Sequence, residues 1–246
     1  MSPPVEAHSW ADCVDWRFNT PGKQDWSEQG GKCFGYARKF PIANGVKFGD
    51  LDSADPARHY QQNPKDFTPC SDGIHGNEKA SDETRQDPIS NAYGGKYGNM
   101  ATVQAGASIC VRWPAKNHAV KDEIDRGVFI NMPPTPLPRD PTNQDDFMKM
   151  NIAKLPYKNC SFLSDTDHTP CGGCFTVPAN RTAGTYVVQW RWMLNDNEWY
   201  TSCWDLAVTA ATNNNGTNNG STGNNTAIGN DPVGKSTSLF AQLSEE

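Results

Sequence analysis

No stretch of about 18 consecutive apolar residues occurs in the 246-residue chain, so no segment reads as a membrane-spanning helix. Hydrophobic residues make up 36%, below the usual ~45–50% of globular domains, a figure that also counts Gly. Basic charge is also lacking. Lys and Arg number 22 against 28 Asp and Glu, a net charge of −6, which excludes the basic surface that general nucleic-acid binders rely on. Helical periodicity is scarce, and 21 Gly with 18 Pro break the chain too often for a helical bundle. What is present is aromatic and sulfur-bearing: 8 Trp, 7 Tyr, 10 Phe and 8 Cys. An even set of cysteines, from Cys13 to Cys203, reads as disulfides formed in an oxidising compartment.

The ends differ from the middle. Met1–Ala7 (MSPPVEA) has neither a basic region nor an apolar region, yet Val5-Glu6-Ala7 carries small residues where a signal peptidase reads them. We therefore expect 1–7 to be a residual signal or pro segment, removed to leave His8 first. Residues 209–246 are rich in Asn, Gly, Thr and Ser and are expected to form a tail without a core. The tail accounts for −2 of the net charge and Glu6 for −1, leaving −3 over residues 8–208. Sequons stand at Asn159, Asn180, Asn215, Asn219 and Asn224, which agrees with secretion.

Between these ends, short apolar runs separated by turn residues predict an all-β sandwich. Ala107–Trp113, Gly127–Met132, Gly184–Leu194 and Trp199–Val208 are the clearest strands. In the third, Tyr186, Val188, Trp190, Trp192 and Leu194 share one face. Asn195-Asp196-Asn197 is the expected hairpin turn into the fourth. Residues 19–100 read as long loops, with helical turns near Asp55–Gln61 and Asn77–Arg85.

Five histidines are available. His8, once first in the chain, offers an α-amine and a ring nitrogen. His118 follows a strand end, in VRWPAKNH. Three nitrogens of this kind suit copper, which favours amine and imidazole in tetragonal geometry. On the last strand pair, Glu198 and Tyr200 fall on one face by alternation, Tyr200 where it can take a long axial position and Glu198 where it can hydrogen-bond or pass a proton. The alternative for this pair is a packed strand tyrosine and a solvated acid. His75 and His168 sit in polar loops and read as non-ligands, whereas His59, in Arg58-His59-Tyr60, reads as structural with a place on a substrate face as the alternative.

Cys171-Gly172-Gly173-Cys174 has no second CxxC pair for a zinc ribbon and no βαβ context for a redox site. It reads as disulfide cysteines, with a short bridge from Cys160 into a CGGC turn. Trp10, Trp16 and Trp26 can stack on sugars or pack in a core. No pair of acids stands out as a glycosidase pair.

The segments HSWADC from His8, CVRWPAKNHAV around His118, LDSADPARHYQQ, CGGCF and QWRWMLNDNEWYTSCWDL resemble the lytic polysaccharide monooxygenases, most nearly the oomycete pectin-active family, auxiliary activity family seventeen. The resemblance runs over nearly all of 8–208. It implies an immunoglobulin-like or fibronectin-like β-sandwich with long loops. It also implies one copper held by His8 and His118 with Tyr200 axial, and Glu198 as the polar residue beside the metal. An external reductant and hydrogen peroxide or dioxygen complete the chemistry. The implied protein is a secreted monomer that cleaves a polysaccharide, homogalacturonan in pectin foremost, and has no nucleic-acid or membrane partner. Homogalacturonan is a polyanion, so Arg112, Lys116 and Lys121, with Arg126 nearby, are the candidate local cations. The sequence departs from the family at its start, because Met1–Ala7 block the amine of His8. Two further readings stay open: a copper-binding protein with the same brace and no cleavage, and a carbohydrate-binding module without metal.

Overall fold

The computed structural model describes residues 9–38, 61–62, 69–70, 89, 98–119, 124–162, 169–196 and 198–211. All lie in one compact unit, Met1–Thr212. A second unit, Asn213–Glu246, is outside the described residues, as are the residual segment 1–7 and almost all of the expected tail.

The fold is all-β. The longest elements are β9 (Gly184–Asn195) and β10 (Glu198–Thr209), an antiparallel pair that runs from Val208 opposite Gly184 to Glu198 opposite Asn195. Both are rich in β-branched and aromatic residues, which suit a pleated, half-buried surface. β6 (Val128–Asn131) pairs with β9, and β7 (Asn151–Leu155) pairs with β6. On the other side of β10, β3 (Gln61–Gln62) pairs antiparallel near its start and β4 (Ala101–Gln104) parallel near its end. A second sheet is formed by β5 (Ser108–Pro114) and β8 (Pro170–Thr176). β1 (Trp16–Phe18) and β2 (Gly31–Cys33) make a small hairpin. The one α-helix among the described residues, α1 (Gln144–Met148), starts at Asn143, whose side chain accepts from the Asp146 amide at 3.0 Å.

The two main sheets pack face to face as an immunoglobulin-like sandwich. Tyr186, Val188, Trp190 and Trp192 of β9 meet Ile109, Val111 and Trp113 of β5 and Phe175 of β8 in one core. Leu194 packs against its edge. The expected face of β9 is thus the core face. The opposite face is buried too. Val187 packs with Phe147 of α1, Cys70 and Cys203. Gln189 exchanges amide hydrogen bonds with Gln144 at 2.7 and 3.0 Å, accepts from Asn131 at 2.8 Å and donates to the Pro69 carbonyl at 2.6 Å.

Four predicted strands are present with small shifts of their ends. β1, β2, β4, β7, β8 and α1 were not expected. The sequence Cys171-Gly172-Gly173-Cys174 is no turn: it lies within β8. Glycine usually weakens a strand, but here both glycines are required by close packing. A Cβ on Gly172 would overlap the Trp26 indole, and one on Gly173 would press on Leu155. Gln61, expected at the end of a helical turn, is in β3. The rest of that turn and the one near Asn77–Arg85 lie outside the described residues, as does Asn197 of the hairpin turn.

All eight cysteines are paired: Cys13–Cys33, Cys70–Cys203, Cys110–Cys174 and Cys160–Cys171. The expected bridge from Cys160 ends on Cys171. No helix among the described residues is long and apolar enough to cross a membrane.

A buried ion network fixes the outer face of β10. Arg38, with no exposed side-chain surface, pairs with Asp205 at 2.7 Å and with Asp140 at 2.6 Å. These two carboxylates raise the guanidinium's pKa although burial acts the other way. Arg38→Ala would take the guanidinium away from the fully buried Asp205 and the partly buried Asp140. We expect a loss of about 3–5 kcal/mol, measured by urea unfolding, with little recovery in Arg38→Lys because lysine lacks the planar fork.

Candidate metal centre

The site residues are set by two strand ends. β5 and β8 finish their shared ladder at Pro114 opposite Pro170. Neither proline has an N–H to donate, and one further bond, from the Ala115 amide to the Thr169 carbonyl at 3.0 Å, closes the pairing. The chain then turns into a short 3-10 segment, Lys116–Ala119. Its turn is closed by the His118 amide on the Ala115 carbonyl at 3.0 Å, and the Tyr157 hydroxyl donates to the same carbonyl at 3.1 Å. His118 is thereby held at the end of the small sheet, 7% exposed.

Tyr200 arrives from the large sheet. It lies near the start of β10, opposite Trp192 of β9, which in turn lies opposite Val128 of β6. Tyr200 is 1% exposed and Trp192 3%. Trp192 is the common neighbour. Its ring stacks parallel on Tyr157 at 3.8 Å, while His118 and Tyr200 contact it at 5.6 and 5.5 Å in tilted arrangements. An imidazole from one sheet and a phenol from the other thus meet around a single indole. Strand alternation exposed the core face of β9, but nothing in the sequence showed that His118 would reach the same tryptophan.

The third component is the segment that follows His8. Ser9 donates its hydroxyl to the Pro114 carbonyl at 2.8 Å, and the Ala11 amide donates to the Ser202 hydroxyl at 3.1 Å. The first contact ties the segment to the strand leading to His118. The second ties it to the strand carrying Tyr200, two residues on and on the same side. Further along, Cys13 bridges to Arg112 in both directions through the backbone and to Cys33 through sulfur. Ser9, Trp10, Ala11, Asp12, Cys13 and Val14 are all buried. Ser202 escaped the sequence reading, although its two-residue spacing from Tyr200 was the available signal.

Arg112, expected among the cations that meet a polyanion, does something else. It is 6% exposed, pairs with Asp12 at 2.6 Å and lies 4.0 Å over the Trp16 ring. Burial pushes the Asp12 carboxyl above the ordinary carboxylate range, and Arg112 offsets only part of that. This arginine fastens the N-terminal segment to β5 and does not reach a surface ligand. Arg126 pairs with Asp196 at 2.6 Å on the surface. Trp10, Trp16 and Trp26 are 1%, 4% and 1% exposed. They pack internally and offer no sugar platform.

His8, Lys121, His59, His75 and His168 lie outside the described residues, and so do the side chains of Lys116 and Glu198. For Glu198 the backbone adds one fact. The β9–β10 register slips between Glu198 and Trp199, where Glu198 faces Asn195 but Trp199 faces Met193. A slip of this kind interrupts alternation, so the shared face expected for Glu198 and Tyr200 does not follow from strand geometry.

Among the described residues no group of three or more His, Cys, Asp or Glu is placed to hold a metal. One imidazole and one phenol lie around Trp192, nitrogen and oxygen donors of the kind copper accepts, and every cysteine is committed to a disulfide, which leaves no thiolate for a sulfur-ligated zinc or iron site.

No known family model and no curated protein matches the chain. Among solved structures it is similar to the cellulose-active LPMO CelS2 in complex with copper, at 17% identity over 68% of this chain and 84% of that one, TM-score 0.37. It is also similar to a cellulose-active polysaccharide monooxygenase from M. thermophila, at 14% identity over 47% and 56%, TM-score 0.28. A third is the PmoD soluble domain from Methylocystis sp., at 12% over 45% and 79%, TM-score 0.27. Alignments this loose assign no residue a role.

The Ser202 contact is directly testable. Ser202→Ala removes the acceptor for a buried amide, which costs about 1–3 kcal/mol. Amide hydrogen exchange at Ala11 should speed up ahead of exchange in the middle of β9, because the segment loosens before the sheet does.

Proposed function

We propose that this protein is a secreted copper-dependent polysaccharide monooxygenase, with pectin as the substrate and His8, His118 and Tyr200 as the copper-holding residues. The observation that carries the reading is the attachment of residues 9–11 to both strands that bear the other candidates, through Ser9 to Pro114 and Ala11 to Ser202. The four disulfides support passage through an oxidising compartment. There, cleavage after Ala7 would free the α-amine of His8, so that export and activation would be one event.

Copper bound by these residues would supply one-electron redox chemistry and activation of hydrogen peroxide or dioxygen once an external reductant has acted. The protein's own contribution is positional. The turn at Ala115 places His118 beside the Trp192 indole, with the ring centroids 5.6 Å apart. The Tyr200 phenol is buried against the same indole, which keeps bulk water from its inner side. Glu198, near the open end of β10, is proposed to hold or pass a proton at its carboxylate. With Arg112 internal, recognition of homogalacturonan would fall to Lys116 and Lys121. The pectin reading itself rests on the resemblance of the sequence motifs.

The test uses the chain beginning at His8 beside the full chain from Met1. Copper affinity, read by calorimetry, should be higher for the form beginning at His8. His118→Ala should lower that affinity by more than the ~10–100-fold that loss of a merely supporting residue costs. Incubated with homogalacturonan, ascorbate and peroxide, the copper-loaded form should release oxidised oligogalacturonides, and His118→Ala should not. Tight copper binding without products on pectin, cellulose or chitin would instead identify a copper carrier. Absence of copper binding would leave a carbohydrate-binding module.

A further inference from the structure

Asn159-Cys160-Ser161 and Asn180-Arg181-Thr182 are both glycosylation sequons within the described fold. The sequence treats them alike and the structure does not. The Asn159 side-chain amide donates to the Gly172 carbonyl at 2.7 Å, and the Gly172 amide donates back to the Asn159 carbonyl at 3.0 Å. The next residue, Cys160, is bridged to Cys171. Ser161 then donates its amide to the Pro170 carbonyl at 3.1 Å and accepts from the Trp26 amide at 2.6 Å. Every residue of this sequon is therefore stitched along the start of β8. The same Asn159 nitrogen also donates to the Gln24 side-chain oxygen at 3.3 Å, so both of its hydrogens are engaged and a glycan there would displace one of the two bonds.

Asn180 is placed in the opposite way. It is an exposed residue of the turn Pro178–Arg181, which the Arg181 amide closes on the Pro178 carbonyl at 3.1 Å. Only its oxygen is engaged, by the Arg181 guanidinium at 3.0 Å. Thr182, the sequon's hydroxyl residue, is also exposed and tied to Tyr186, whose hydroxyl donates to the Thr182 carbonyl at 2.9 Å. We infer that Asn180 is an N-glycosylation site and that Asn159 is kept unmodified as a structural latch. In the transfer, the Asn180 side-chain nitrogen bonds to C1 of an oligosaccharide carried on a lipid diphosphate. The C1–oxygen bond to the diphosphate breaks, and the displaced amide proton leaves with it. No oxidation state changes.

The placement separates the glycan from the candidate metal centre. The turn precedes Gly184, the first residue of β9, whereas Trp192 lies eight residues along the same strand, roughly 26 Å away at ~3.3 Å per residue. A glycan there leaves the end bearing His118 and Tyr200 open. This inference needs the oxidising secretory route that the disulfides imply, and does not need copper or catalysis.

The full chain, secreted from yeast behind a cleavable leader and purified with its disulfides intact, provides the test. Enzymatic deglycosylation in 18O water converts each occupied asparagine to labelled aspartate, which peptide mass spectrometry locates independently of any occupancy in the tail. Label is expected at position 180 and not at 159. In Asn180→Gln, that glycopeptide should disappear. Label at 159 in the folded protein, or no label at 180, would overturn the inference. None of these results bears on whether the protein cleaves polysaccharide.

Discussion

The antiparallel pairing of β9 with β10 is the constraint on which the rest of the described structure depends. Register along this pair runs from Gly184 opposite Val208 to Trp192 opposite Tyr200 without interruption. Because side chains alternate, that one register decides two layers at once. Inward, it aligns Val188, Trp190 and Trp192 with Trp204, Ser202 and Tyr200. Outward, it aligns Val187, Gln189 and Arg191 with Asp205, Cys203 and Thr201. A slip of one residue would turn the aromatic residues away from the apolar core, bring Arg191 and Asp205 into that core without their partners, and pull Cys203 away from Cys70.

Both faces of this pair are covered, and by different means. The core face is apolar and is closed by the β5–β8 sheet. The other is closed by polar groups whose requirements are met in detail: the Gln189–Gln144 amide pair, the Arg38 network and the Cys70–Cys203 disulfide. Buried polar groups cost free energy unless each finds partners. The price is met here by residues distant in sequence, since Arg38 and Asp205 are 167 positions apart. A mean hydropathy of −0.72 fits a protein that covers much of its interior in this way.

The candidate site lies at the end of the sandwich where both sheets stop pairing. Pro114 and Pro170 end one ladder and the register slip at Glu198 marks the end of the other. Freed backbone at such ends can turn and present side chains, as the 3-10 turn does with His118. The N-terminal segment then crosses between the sheets' ends and is bonded to both. Arg112 belongs to this architecture: its salt bridge to Asp12 and its place over Trp16 hold the segment down. A side chain that looked like a surface cation is thus a fastener for the residues beside the site.

By itself the sequence determined the all-β class, the four principal strands, the core face of β9 and the use of cysteines as disulfides, because period-two patterning and composition are local signals. His118 and Tyr200 could be singled out for the same reason, from short motifs at strand ends. Only the tertiary structure decided that their rings share Trp192, that Ser9 and Ala11 are tied to both strands, and that Arg112 is internal. It also decided that Gly172 and Gly173 belong to a strand, since the Trp26 and Leu155 side chains that require glycine there come from elsewhere in the chain. Contacts between distant residues leave no periodic trace in either segment, so their geometry emerges only when the sheets are packed.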